Sequence, residues 1–258
     1  MSKPLFDRLR EVETRIRAAG NLFLFLDFDG TLAPIVEEPE KARLPERTRE
    51  VLNALASRQN VALTFVSGRS IEDIERRVGI PEAIYAGNHG IEIRGGGLSF
   101  LEPRAAERRE DLATLSCGLA GKLRHIAGAF VENKGLTSSV HYRRVKEADI
   151  EEVGRVVRSC VQPLESLFEV RPGKKSFEVR PRVPWHKGAA VQWLLNRRGD
   201  SETLPLYFGD DQTDEDAFAV LRDGITVRVG EGRTLAHYRL TDPLEVSEFL
   251  CRMSGWIA

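Results

Sequence analysis

Asp27-Phe28-Asp29-Gly30-Thr31-Leu32 follows directly on the apolar run Leu22-Phe23-Leu24-Phe25-Leu26. An uninterrupted apolar run of this length reads as a strand buried on both faces, the pattern of a central strand in a parallel sheet. Asp27 and Asp29 lie two positions apart, so on extended backbone both carboxylates point to the same side. Neighbouring carboxylates repel; they are kept together where a divalent cation binds or where one of them transfers a proton. Gly30 and Thr31 permit a sharp turn, with backbone N–H groups expected to be free for an anion. Taken alone, these residues are no more than an acidic turn closing a strand. The remainder of the chain decides for chemistry.

Outward from this strand the sequence alternates. Residues 46–58 read as a helix with Val51, Leu52 and Leu55 on one face, and Val61 to Val66 as the next strand. Ser70-Ile71-Glu72-Asp73 has the spacing of a capping box for a helix that ends near Gly79, and Ile84 to Ala86 is a short strand. The rhythm predicts an open parallel sheet with helices on both faces. It breaks at Gly95-Gly96-Gly97, a candidate hinge. An Arg- and Glu-rich helix over 104–127 follows, then strand-like segments near 128–132 and 137–143 and a helix over about 147–160. Phe168 to Arg171 and Ser176 to Arg180 read as a hairpin turning at Pro172-Gly173. After a linker, Pro181-Arg182-Val183-Pro184, the first rhythm resumes. It gives a helix His186 to Arg198, a strand Leu204 to Phe208, a helix Thr213 to Arg222 capped by Thr213 and Asp216, and a last strand Ile225 to Val229. The expected organisation is an α/β core, 1–94 and 181–258, interrupted by an α+β domain at 95–180.

The bulk composition excludes several classes. Lys plus Arg is 38 and Asp plus Glu is 39, a net charge of −1 that gives no support for nucleic-acid binding. Cys117, Cys160 and Cys251 lie far apart, so neither a disulfide framework nor a zinc site is expected, and a reducing cytoplasm is the expected setting. No apolar run approaches the ~18 residues of a membrane span. The charged stretch Met1 to Arg17 lacks the apolar core of a signal peptide, so none is expected.

In open α/β sheets, ligands bind beyond the carboxyl ends of the strands. Four segments put polar residues at that edge or at the helix returning to it: Asp27 with Asp29, Ser67-Gly68-Arg69, Lys187 within Trp185-His186-Lys187-Gly188, and Gly209-Asp210-Asp211-Gln212-Thr213-Asp214. Each residue type suits phosphoryl transfer. A carboxylate can attack phosphorus and form an acyl phosphate. A divalent cation held by oxygen ligands neutralises the anionic substrate. A lysine and a hydroxyl hold the remaining phosphate oxygens. A second carboxylate protonates the leaving oxygen and then takes a proton from water.

This set of four, in this order, resembles the haloacid dehalogenase-like phosphatases. The resemblance implies a Rossmann-like core with an inserted cap. It implies Asp27 as nucleophile, Asp29 as general acid/base, and Ser67 and Lys187 on phosphate. Mg2+ would be held by Asp27, the Asp29 carbonyl and Asp210, with Asp211 or Asp214 in support. A closer resemblance, to the trehalose-6-phosphate phosphatases, is carried by Gly87-Asn88-His89-Gly90-Ile91-Glu92, Val131-Glu132-Asn133-Lys134, His141-Tyr142-Arg143, Gly173-Lys174, Glu178-Val179-Arg180-Pro181 and Gly209 to Asp216. It implies hydrolysis of trehalose 6-phosphate, with Gly30, Thr31, Arg69, Asn88, His89, Glu132, Lys134, Arg143, Lys174 and Glu178 around the substrate. It also names the trehalose-phosphate synthase as a candidate partner. A disaccharide offers many hydroxyls, and fixed charged groups of both signs suit its selection.

Three rival readings stand beside this one. The same chemistry can serve sucrose 6-phosphate or a mannosyl phosphate. A non-enzymatic sensor or receiver could keep Asp27 alone, but would not need the whole set. Gly173-Lys174-Lys175-Ser176 matches the end of a P-loop, yet Phe168 stands where its first glycine belongs and the flanks read as a hairpin.

Overall fold

The computed structural model describes residues 2–257. Its contacts divide the chain into two units: residues up to Phe100 together with those from Trp185 onward, and Leu101–Pro184.

The first unit opens with β1 (Lys3–Pro4) and α1 (Leu9–Ala18), then β2 (Asn21–Leu26), α2 (Glu46–Ala56), β3 (Val61–Val66), α3 (Ile71–Val78), β4 (Ile84–Gly87), β5 (Glu92–Gly95) and β6 (Leu98–Leu101). The inserted unit holds α4 (Pro103–Glu107), α5 (Arg109–Leu123), β7 (Phe130–Asn133), β8 (Ser138–His141), α6 (Glu147–Val161), β9 (Phe168–Gly173) and β10 (Ser176–Pro181). The first unit resumes with α7 (Lys187–Arg198), β11 (Thr203–Gly209), α8 (Glu215–Val220), β12 (Ile225–Val229), β13 (Tyr238–Leu240) and α9 (Pro243–Ser254).

The core sheet has the order β1-β13-β12-β11-β2-β3-β4-β5-β6. It is parallel from β1 to β4, and β5 pairs antiparallel with β4. Period-two alternation explains how β2 serves both faces. Leu22, Leu24 and Leu26 pack in a cluster with residues of α1, α2, α3 and α9, while Phe23 and Phe25 pack with Ala190, Val191 and Leu194 of α7 and Ala217 and Phe218 of α8. The result is the expected α/β sheet covered on both sides. From β2 the chain runs outward through β3 and β4, then returns to β11 on the other flank of β2. The crevice at this reversal of strand order is where such sheets bind ligands.

Several local expectations are corrected. Gly95-Gly96-Gly97 is the turn of the β5–β6 pair, with φ of 114°, 58° and 76°, and the Gly96 carbonyl accepts from Arg198 Nη1 at 2.7 Å. The hairpin extends the core sheet, so the insertion begins after Phe100 and ends at Pro184, where the sequence suggested 95 and 180. The long helix over 104–127 is broken at Arg108 into α4 and α5. The second hairpin turns at Lys174-Lys175, with Lys175 at φ 61°, because Pro172 and Gly173 remain in strand register with Phe177 and Ser176. At Ser70 only half of the box forms: its side chain accepts from Asp73 N, while the Asp73 carboxylate turns to arginines. The helix after β11 is capped by Asp211 and Asp214, not Thr213 and Asp216, and its α-helical part ends at Val220. β12 is followed by β13 and α9, and β1 and α1 precede β2; none of these four was read from the sequence.

In the inserted unit, α5 and α6 bury Leu112, Leu115, Leu119, Val153, Val157 and Val161 against Val140 and Val179 of an antiparallel sheet ordered β7-β8-β10-β9. The alternate positions of β8 and β10, Ser139 and His141, Ser176 and Glu178, are polar. Among the described residues no helix is long and apolar enough to cross a membrane.

Candidate active site

Asp27 directly follows the last residue of β2 and is buried, with its N–H donating to the Phe208 carbonyl of β11 at 2.9 Å. Lys187 opens α7, whose N-cap His186 accepts from Ala189 N. A Cβ on Gly188 would stand 2.2 Å from the Asp216 carbonyl, so only glycine lets α7 approach α8 so closely. Lys187 Nζ then lies 2.7 Å from Asp27 Oδ1 and 2.7 Å from Asp214 Oδ1. Burial alone would lower the Lys187 pKa. The charges of Asp214 and Asp27 reverse this and hold the ammonium well above its ordinary value.

Asp27, Asp210 and Asp214 each offer a carboxylate oxygen, all within 4.8 Å of one another. Burial pushes the Asp27 carboxyl well above the usual range. Lys187 pulls it down, and Asp214 and Asp210 push it up again. Three carboxylates against one lysine leave excess negative charge, and hard oxygen donors suit a divalent cation of the magnesium type. The Thr213 hydroxyl, between Asp210 and Asp214 in sequence, is buried without a hydrogen-bond partner.

Asp214 is fixed on every side. Oδ1 accepts from Lys187 and from the Tyr207 hydroxyl at 2.7 Å, and Oδ2 accepts from Asp211 N at 2.9 Å. The Asp211 side chain caps the turn by accepting from Gln212 N. Of the two carboxylates left open from sequence, Asp214 is thus the one that joins the cluster.

Asp29 does not join it through its side chain. Its carboxylate accepts two hydrogen bonds from Arg69, Nε to Oδ2 and Nη2 to Oδ1, both 2.6 Å. Arg69 also reaches Asp73 Oδ2 at 2.7 Å and the Pro39 carbonyl at 3.0 Å. Arg69 is therefore occupied by protein groups at the position read as substrate-binding. Burial works against its charge, but Asp29 and Asp73 together raise its pKa. The turn after Asp29 is also self-contained. Gly30 N donates to the Ala33 carbonyl at 2.7 Å, and the N–H groups of Thr31, Leu32 and Ala33 all go to the Phe28 carbonyl. The amides of Gly30 and Thr31 expected to await an anion are used locally. The Thr31 hydroxyl stands 3.5 Å from Asp27 Oδ2, the outer limit of a hydrogen bond.

Ser67 follows β3 and is buried; its oxygen accepts from Arg69 N at 3.2 Å, which leaves its proton for another acceptor. Asn88 and His89, past β4, are buried and left-handed at φ 50° and 61°, a costly backbone for non-glycine residues. Their N–H groups donate to the carbonyls of Arg69 and Ser67 at 2.6 and 2.8 Å, tying this turn to the one bearing Ser67.

In the inserted unit, Glu178 accepts from Ser139 at 2.8 Å and Ser176 at 2.7 Å, and lies 3.6 Å from Lys134 Nζ. Burial alone would raise its pKa; Lys134 and the two hydroxyls outweigh it, and Glu178 sits below the usual carboxylate range. Glu132 pairs with His141 Nε2 at 2.9 Å. Arg143 instead donates to the Lys174 carbonyl at 3.0 Å and braces the hairpin turn.

Sequence reasoning missed two contributors. Tyr207 sits in a run that is otherwise apolar, and a buried phenol needs a partner, which was its one signal. Arg228 donates to the Asp211 carbonyl at 3.0 Å and pairs with Glu215 at 3.4 Å, bracing the acidic loop; no local pattern marks it.

The trehalose-phosphatase family matches residues 25–243 of this sequence. The chain is 39% identical over 252 residues to trehalose-phosphate phosphatase B of Arabidopsis thaliana, covering 91% of this chain and 67% of that one. It is 36% identical over 271 residues to trehalose 6-phosphate phosphatase RA3 of Zea mays, covering 96% and 74% respectively. The fold is shared with the C-terminal domain of a C. albicans trehalose-6-phosphate phosphatase, with a TM-score of 0.81 at 23% identity over 100% of this chain and 99% of that one.

Proposed function

The chain belongs to the trehalose-phosphatase family, and we propose that it hydrolyses trehalose 6-phosphate to trehalose and phosphate, with magnesium, through an aspartyl phosphate on Asp27. It is a phosphoric monoester hydrolase. The observation that carries the mechanism is the buried Lys187 ammonium bonded to Asp27 while Asp210 and Asp214 stand around the same point.

Asp27, Asp210 and Asp214 would hold the magnesium ion, which when bound supplies positive charge to the phosphoryl oxygens. Asp27 attacks phosphorus, and the bond from phosphorus to the sugar oxygen breaks. Asp29 gives its proton to that oxygen. Water then attacks phosphorus, the bond to Asp27 breaks, and Asp29 takes the proton from water. Lys187 and Ser67 hold phosphate oxygens throughout. In the inserted unit, Glu132, Lys134 and Glu178 are the polar groups assigned to sugar hydroxyls.

Phosphate release from a panel of sugar phosphates tests this. Trehalose 6-phosphate should be the preferred substrate, with activity abolished by chelator and restored by Mg2+. Preference for sucrose 6-phosphate or a mannosyl phosphate would overturn the substrate, and a stoichiometric failure to trap phosphate on Asp27 the intermediate.

A further inference from the structure

We infer that Tyr207 is a positioning residue of this phosphatase, acting through Asp214 to set where the Lys187 ammonium stands. The inference rests on the phosphatase reading above. Tyr207 is fully buried in β11, its ring 6.3 Å from Phe25 and edge-on to Phe218 at 5.6 Å. No part of it reaches the surface. Its hydroxyl meets Asp214 Oδ1 at 2.7 Å, and a carboxylate only accepts, so the phenol proton is committed there.

Asp214 has little freedom. A Cβ on Gly209 would stand 2.3 Å from its carboxyl carbon, so the carboxylate is packed on bare backbone. Oδ2 is taken by Asp211 N. Oδ1 is shared by two donors, Tyr207 and Lys187, and Lys187 in turn divides its charge between Asp214 and Asp27. Remove the phenol, and Oδ1 has one donor left. Its full negative charge then draws the ammonium toward Asp214 and away from Asp27, the nucleophile beside which Lys187 is to hold the phosphate. A neutral donor in a buried site thus governs a balance between two carboxylates.

The test is a double-mutant cycle of Tyr207→Phe and Asp214→Asn, with Tyr85→Phe as control. Tyr85 is likewise buried, and its hydroxyl donates to the Ile80 carbonyl at 2.8 Å. Tyr207→Phe should lower kcat about 10- to 100-fold with KM within about twofold, and weaken Mg2+ binding by calorimetry severalfold. It should add nothing in the Asp214→Asn background, and Tyr85→Phe should leave kcat intact. A normal kcat in Tyr207→Phe, or losses that multiply in the double variant, would overturn the inference. In case the Phe variant does not fold, 3-fluorotyrosine keeps ring and hydroxyl. The Tyr207 fluorine resonance should move on adding Mg2+ and that of Tyr85 should not; an unmoved Tyr207 resonance would equally overturn the inference. The cycle is run on an aryl phosphate as well. A wild-type enzyme that cleaves the aryl ester but not trehalose 6-phosphate would then refute the substrate without touching the role of Tyr207.

Discussion

Arg69 grips Asp29 with two parallel bonds, Nε to Oδ2 and Nη2 to Oδ1, each 2.6 Å. The fork fixes where both Asp29 oxygens stand. Asp29→Asn should slow both steps by about 10²–10⁴-fold. An ester with a good leaving group should recover the first step only, so phosphoenzyme should build up in rapid-quench experiments. Equal slowing of good and poor leaving groups, with no accumulation, would show that Asp29 has another role.

Asp27→Asn should abolish turnover with the fold intact. The amide is nearly isosteric but a poor nucleophile, and loss of a nucleophile costs about 10⁴-fold or more. Steady-state kinetics with circular dichroism checks this; activity within about tenfold of wild type would exclude the covalent route.

Magnesium should stabilise the folded chain. An ion at ~100 times its Kd that binds only the native state adds about 2.7 kcal/mol. For a chain of this size that raises Tm by roughly 5–10 °C. Asp210→Asn should lose most of the shift, because Asp210 is one of the three clustered carboxylates. Thermal scans with Mg2+ and with chelator decide it, and a shift that persists in Asp210→Asn would remove Asp210 from the ligand set.

Asp73 gives a pH dependence. Burial would raise its pKa, but bonds from Arg77 and Arg69 outweigh this and bring it from an ordinary 3.8 to about 2. A folded pKa below the unfolded one contributes stability above the unfolded value and loses it as pH falls through the folded one. The gap in Tm between wild type and Asp73→Asn should therefore be constant above about pH 5 and close toward pH 2. After allowance for solvent screening the contribution is at most about 1–2 kcal/mol. A gap that widens with acid would contradict the ion-pair assignment.

Glu178→Gln should weaken use of trehalose 6-phosphate and spare an aryl phosphate. It removes the charged partner of Lys134 and one side of the Ser139–Ser176 clamp. Loss of a charge-assisted bond is worth about 1.5–3 kcal/mol, or roughly 10- to 150-fold in kcat/KM. A parallel fall for both substrates would mean that Glu178 supports folding of the inserted unit instead of reading the sugar.

The core sheet was legible because its evidence is local. Leu22 to Leu26 and Val61 to Val66 are apolar throughout, as strands covered on both faces must be, and Gly79 closes α3 at a left-handed φ of 65°. The missed β1 and β13 are two and three residues long, too short for a period to register. Helix α9 shows its pattern plainly, with Asp242 as cap and Val246, Phe249, Leu250 and Met253 inward.

Which chemistry-bearing residues stand at strand ends was legible along the chain, because the side-chain period of a strand and the order of elements are local properties. Their partners come from long-range packing. Lys187 meets Asp27 across 160 positions and Asp214 across 27, and Arg69 meets Asp29 across 40. Those pairings depend on β11 and β3 lying on either side of β2. Strand order is set by packing of the whole sheet against its helices, and no window of sequence contains it.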